Sequence, residues 1–259
     1  MSEKPGNISF TIRMVDHRIH ISSLFKLIQI QCSGYIDKSL GYDFSISSDW
    51  NSICEEKRIG SDESVREGIE PGMDRWESAA IYRKIIAILR KDHYIMMHGA
   101  VISMDNEGYM ITAPSGTGKT TRARIWMEEF PGSFVVNGDK PLIQVTDEGA
   151  YAWGTPWCGK EGWSRNTSVQ IRAIYLLERA EKDSIEEVKK EDATREMWGQ
   201  TFFPRDFEGI KDTIELVNRM KEQVQVFRYR STMTANSVRM AYQAAQAAGP
   251  KQRNGRLSV

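Results

Sequence analysis

Ser115, Gly116, Thr117, Gly118, Lys119, Thr120 and Thr121 follow one another directly after the β-prone run Tyr109-Met110-Ile111-Thr112 and the pair Ala113-Pro114. This is the composition of a loop built to hold phosphates. Two closely spaced glycines let backbone N–H groups turn inward, and the start of a following helix adds positive partial charge. Lys119 is then placed to reach the β- and γ-phosphates of a nucleotide, and the Thr120 hydroxyl to bind Mg²⁺. The common pattern opens on glycine, whereas here that position is Ala113.

A phosphate loop that does chemistry needs a metal partner and a group that prepares the acceptor. Asp139 ends the first β-type run after the loop helix, Phe134-Val135-Val136. There it can hold Mg²⁺ or accept a hydroxyl proton; Asn137-Gly138-Asp139 also reads as an ordinary turn. His98, before Gly99, is either a core histidine or a donor facing the phosphates. Lys160 and Arg165 flank a stretch with glycines and two tryptophans, Trp157 and Trp163. That stretch reads equally as a closing loop that brings positive charge to a transferring phosphoryl group and as an anchored surface loop. Arg205 reads as an exposed charge at a helix start, and His17 and His20 as surface histidines.

The elements that must carry these residues follow from periodicity. Ile8, Phe10, Ile12 and Met14 alternate, Ile19 and Ile21 open a second β run, and Phe25 to Ile30 and Tyr42 to Ile46 are read as two more. Residues 55–73, charged and rich in Gly and Pro, read as a connector or mobile loop. Asp74 with Glu77 suggests a capping box opening a helix with Ile81, Ile85, Ile88 and Leu89 on its apolar side. Two β runs around Asp105-Asn106-Glu107-Gly108 form a hairpin whose second strand enters the phosphate loop. After the loop come a helix over 119–129, the strand ending at Asp139, a hairpin over 142–153, a strand over 171–177, helices over 191–201 and 206–222, a strand over 224–229 and a helix over 235–247.

With 40% hydrophobic and 27% charged residues the chain is ordinary for a globular protein. Lys+Arg and Asp+Glu both number 35, which argues against a general polyanion binder, so no nucleic acid is expected. Cys32, Cys54 and Cys158 are far apart and without metal-ligand spacing, so they read as free thiols in a reducing compartment. No run approaches the roughly 18 apolar residues of a membrane span, and Met1 to Gly6 lack the apolar core of a signal peptide. A cytoplasmic protein without a membrane partner is expected. The organisation expected is an N-terminal β-rich layer and connector (1–73), a core (74–248) and a disordered tail (249–259).

The segments His98-Gly99-Ala100-Val101, Ser115 to Thr120 and Val135-Val136-Asn137-Gly138-Asp139 resemble the HPr kinase/phosphorylase family and its phosphoenolpyruvate carboxykinase-like relatives. With Asp139-Lys140-Pro141-Leu142 and residues 154–160, the chain is similar to the lasso-peptide tailoring kinases, over about 75–248. The resemblance implies an α/β fold, with a mixed, largely antiparallel sheet and flanking helices around a P-loop core. It implies ATP as co-substrate with Mg²⁺ on Thr120 and Asp139, Asp139 as general base, and His98 near the phosphates. The acceptor it implies is the C-terminal serine of a precursor peptide. Gly138 stands where relatives often carry the first carboxylate of a pair. Two alternatives follow: transfer to an HPr-type protein or small hydroxylated metabolite, and a nucleotide-gated binding protein without catalysis. The sequence leaves the oligomeric state open.

Overall fold

The computed structural model describes residues 6–60 and 70–249. The middle of the expected connector and the expected tail beyond Gly249 lie outside the described residues. A three-stranded N-terminal sheet comes first. β1 (Ile8–Met14) pairs antiparallel with β2 (His17–Ser23), and β3 (Phe44–Ser47) adds parallel to β2. The alternation puts Ile12, Met14, Ile19 and Ile21 fully inside.

Two segments of this layer differ from the sequence reading. Residues 25–30 are not a strand: Leu27–Gln31 form a short helix, α1, whose buried side chain is Ile28. Glu55 to Arg58 belong to α2 (Trp50–Ile59) rather than to a connector, with Asp49 and Ser52 making a reciprocal capping box at its start.

α3 (Met73–Leu89) joins the layers. Its N-cap is Gly72, and no side chain caps it, so the Asp74–Glu77 box is not formed. Glu77 instead turns its carboxylate toward the N-terminal layer. It accepts hydrogen bonds from the N–H groups of Leu24 (2.6 Å) and Phe25 (2.9 Å) and from the Ser48 hydroxyl. Ile81, Ile85 and Leu89 share one core with Phe10, Ile12 and Ile21 of the first sheet and Leu142 and Trp157 beyond it. Packing is therefore continuous across residue 73.

The second sheet has nine strands. β4 (Tyr94–Met96), β5 (Ala100–Met104), β6 (Glu107–Thr112), β7 (Phe134–Asn137), β8 (Leu142–Val145), β9 (Ala150–Trp153) and β10 (Ser168–Arg179) lie in the order β4-β8-β9-β10-β6-β5-β7. β10 also pairs with β12 (Gln225–Ser231), which carries β11 (Ser184–Glu187) at its outer edge. β10 runs parallel to both β6 and β12, while the other pairings are antiparallel. The sheet is thus mixed and curled. Its parallel centre requires cover on both faces. α4 (Lys119–Glu129) and α7 (Ala235–Ala247) pack against Ala173, Tyr175 and Leu177 of β10. α5 (Lys190–Gln200) and α6 (Phe207–Gln223) pack against Ile174 and Leu176 on the other side.

The β5–β6 turn has both central residues left-handed, Asp105 at φ 53° and Asn106 at φ 63°. That is the geometry a two-residue hairpin loop demands, and Asp-Asn tolerates it. This tight turn launches β6 into the glycine-rich loop. Among the described residues no helix is long and apolar enough to cross a membrane.

Candidate functional site

The side chain of Asn137, wholly buried at the end of β7, shapes the turn that follows it. Its Oδ1 accepts from the N–H groups of Asp139 (2.9 Å) and Lys140 (2.8 Å), while its Nδ2 donates to Thr155 O (3.0 Å) and Thr155 Oγ1 (3.1 Å). Asp139 is thereby turned toward His98, whose Nε2 lies 3.1 Å from its Oδ1, and Lys140 Nζ lies 3.4 Å from its Oδ2. The backbone closes the arrangement, Gly99 N donating to Asp139 O at 2.8 Å and Thr112 Oγ1 to His98 O at 2.6 Å. Thr112 is the last residue of β6. The His98–Asp139 pair is therefore coupled directly to the strand that enters the loop.

In the loop itself Gly116 (φ 79°) and Gly118 (φ 112°) take the left-handed backbone that glycine permits. Lys119, almost buried, donates to the carbonyls of Ala113 (2.9 Å) and Pro114 (3.3 Å), curling the loop around its own ammonium. The Ala113 methyl sits in the core beneath, which explains why this position need not be glycine. Arg179, the last residue of β10, donates from Nε to Thr117 O (2.8 Å) and from Nη2 to Gly116 O (2.9 Å), tying down the outer rim.

The 154–164 segment is anchored at both ends. Trp157 stacks on Tyr82 (centroids 4.1 Å apart) and donates its indole N–H to Ser78 O and Oγ at 3.2 and 3.0 Å. Trp163 O accepts from Gly138 N at 2.9 Å. A Cβ on Gly138 would approach Cys158 O to 2.9 Å, so the close approach of this segment leaves no room for a carboxylate there. Lys160 lies at the segment's tip and lines the cavity described next. Arg165 does not: its guanidinium lies 4.0 Å over the Phe134 ring, while its backbone N–H donates to Val136 O, so it corrects to a structural residue. Arg205 pairs with Glu55 and Glu56 of α2.

One cavity of about 910 Å³ brings these parts together. Ser115, Gly116, Gly118, Lys119, Thr120 and Thr121 line it, and so do His98, Asp139 and Lys160. The cavity also takes in three groups that reading the sequence did not assign. Lys140 had an available signal, since it neighbours Asp139. Arg179 had one too, at the carboxyl end of a strand parallel to β6, where ligands of such sheets gather. The third, the wall made by Gln31 of α1 and Tyr35 just beyond it, has none, because the run before Gln31 has the pattern of a strand.

Burial alone would raise the Asp139 carboxyl, but the hydrogen bond from His98 and the charge of Lys140 outweigh it and hold the group at about 2, below its ordinary 3.8. A depressed carboxyl contributes stability that is fully present above the unfolded value and lost as pH falls through the folded one. The contribution is on the order of 2 kcal/mol. Urea midpoints measured from pH 5 down to pH 2 are expected to fall less steeply in Asp139→Asn than in the parent; parallel curves would remove this assignment.

The family model of ScmC, described as SynChlorMet cassette protein ScmC, matches residues 73–244. The chain belongs to the ScmC family. No curated protein matches it. The ScmC match corrects the resemblance to HPr kinases and lasso-peptide tailoring kinases: the segments that carried it are short loop motifs, and such motifs recur on unrelated families. The ScmC-matched span contains His98, the glycine-rich loop, Asp139, Lys160 and Arg179, whereas α1 lies before it.

Proposed function

We propose that the chain binds ATP with Mg²⁺ and transfers the γ-phosphoryl group to a serine hydroxyl of a peptide. The observation that carries this reading is that Asp139, fixed by His98, opens onto the same cavity as the glycine-rich loop and Lys119. In this reading β6, the loop and α4 form a phosphate-binding P-loop. Lys119 would exchange its loop carbonyls for phosphate oxygens, and the inward N–H groups and the α4 start would take the rest of the charge.

The serine oxygen forms the new bond to the γ-phosphorus while the bond from that phosphorus to the β–γ bridging oxygen breaks, leaving ADP. The serine proton passes to Asp139. Such transfer is governed by positioning and charge more than by basicity, so a weakly basic carboxylate held by His98 and Asn137 suits it. Mg²⁺, when bound, supplies neutralising charge between the phosphates. Thr120 and Asp139 would hold it. No group of three His, Cys, Asp or Glu side chains able to hold a metal ion occurs among the described residues, and a triphosphate-bound Mg²⁺ needs only one or two protein oxygens.

Incubation with ATP, Mg²⁺ and a panel of serine peptides, read by mass spectrometry, tests the reading. Lys119→Ala is expected to weaken ATP binding by roughly 30-fold or more. Parent protein that fails to bind ATP would end the proposal. Tight binding with no transfer to peptide, HPr-type protein or hydroxylated metabolite would favour the nucleotide-gated binding protein, which the lack of a second carboxylate at Gly138 allows.

A further inference from the structure

β10 and β12 run parallel and stop together: Arg179, the last residue of β10, is in register with Ser231, the last residue of β12. From these two strand ends, two side chains reach the glycine-rich loop. Arg179 does so through carbonyls, donating from Nε to Thr117 O (2.8 Å) and from Nη2 to Gly116 O (2.9 Å). No peptide bond among the described residues is cis, and in a trans peptide the carbonyl and the N–H point opposite ways. Holding these two carbonyls toward the guanidinium therefore turns the N–H groups of Thr117 and Gly118 away from it. The Thr117 N–H closes a turn onto Pro114 O (3.4 Å), the carbonyl that Lys119 Nζ also meets at 3.3 Å. The Gly118 N–H, turned from the guanidinium in the same way, bonds to no group among the described residues.

Met233, two residues past β12, comes at the loop from the other strand. Its backbone is left-handed (φ 62°), a conformation that non-glycine residues rarely adopt. Its terminal methyl packs against Gly118, where an added Cβ would come within 2.5 Å of Met233 Cε. Gly118 is therefore required twice, by its own φ of 112° and by Met233. The turn that carries Met233 is held from two directions. Arg122 of α4, fully buried, donates to Thr234 O (3.0 Å), to Ser231 Oγ and to Met233 Sδ (3.2 Å). Asp183, just beyond β10, accepts from Thr232 N (2.7 Å) and Thr232 Oγ1 (2.8 Å).

We infer that the ends of β10 and β12 form a clamp that sets the glycine-rich loop in its polyphosphate-receiving shape before a ligand arrives. Arg179 fixes two peptide planes, and Met233 packs against Gly118. Both are positioning residues, which act on the ligand through the N–H groups of the loop. An anion site set in advance loses less to ordering when its ligand binds. The inference deepens the phosphoryl-transfer reading and takes from it only the ligand, a nucleoside or inorganic triphosphate.

The test uses the full chain, the variants Arg179→Met, Arg179→Lys and Met233→Ala, and inorganic triphosphate and ATP as probes. Arg179 is exposed, so its replacement should leave the fold in place, which urea midpoints check. Amide hydrogen exchange of the ligand-free protein is expected to quicken over residues 115–118 alone in Arg179→Met and Met233→Ala. Calorimetric titration is expected to show triphosphate binding weakened roughly tenfold or more in Arg179→Met. Arg179→Lys keeps the charge but not the planar fork, and should recover part of both effects. Loop exchange that stays as in the parent, or an Arg179→Met protein that binds triphosphate as tightly, would overturn the clamp. So would faster exchange spread over the whole chain with a lowered midpoint, the mark of general destabilisation. Parent protein that binds neither probe, with exchange in the variants still quickened only in the loop, would sink the nucleotide reading and leave the clamp standing.

Discussion

Asp139→Asn is expected to lower phosphoryl transfer by about 10²–10⁴-fold while ATP still binds. Asparagine keeps the shape of the side chain and an oxygen that can accept from His98 Nε2, now 3.1 Å from Asp139 Oδ1. The turn is held by Asn137 through the backbone of residues 139 and 140, so it does not depend on the carboxylate. What the substitution removes is the carboxylate charge and, on the proposed phosphoryl transfer, the proton acceptor. Single-turnover transfer from labelled ATP, set beside equilibrium ATP binding, separates the two effects. Undiminished turnover would take Asp139 out of the mechanism; loss of binding and transfer together would make it chiefly a metal or structural group.

The parts of this fold that the sequence announces are those where local chemistry and final structure agree. The loop helix, the strand after it and the Asp105-Asn106 hairpin each carry their own start or stop signal. The helix over Lys119–Glu129 forms where expected, and the hairpin and the strand after the loop helix form close to it: Glu107 and Gly108 already belong to β6, and the strand expected to end at Asp139 stops at Asn137. α1 carries no such signal. Leu27-Ile28-Gln29-Ile30 is a short apolar run with β-branched residues, and such a run fits strand and helix alike. Its helical form is set from outside, where Gln31 bonds to Pro156 and Ser78, far along the chain. β11 escaped for the opposite reason. Ser184–Glu187 is a polar edge strand with no fully buried side chain, defined by pairing with β12 rather than by pattern.

The candidate site divides in the same way. The loop and Asp139 are legible because a motif and a strand end place them. Arg165 is not legible in the same way, because a cation near a glycine-rich segment looks alike whether it faces a cavity or an aromatic ring, and here it lies over Phe134. Glu77 looked like a helix cap because spacing cannot reveal that the N–H groups of Leu24 and Phe25 need an acceptor. The family likeness failed at the same level: it rested on short loop segments, and the ScmC match over residues 73–244 spans the helices and strands between them.

Gly154→Ala is expected to destabilise the protein by about 3 kcal/mol or more and to disable the site even in molecules that fold. An added Cβ would lie 1.8 Å from Arg165 O and 2.7 Å from Val136 O, both backbone atoms that no rotamer change can move. Around it Gly154 N donates to Thr167 O and Arg165 N to Val136 O, each at 3.0 Å, so β7, the end of β9 and the strand entry at 165–167 are drawn together at one point. Val136 precedes Asn137, the residue that orients Asp139. A displacement there propagates along one backbone into the Asp139 turn. Gly199→Ala is the control, because in α5 an added methyl meets nothing within 4 Å. That change should stabilise by roughly 0.5–1 kcal/mol from helix propensity. Urea unfolding of both variants, with transfer assayed where each is folded, reads the contrast. Equal stabilities would mean that the three segments do not pack this closely, and Asn137 would lose its role as the fixed point from which Asp139 is aimed.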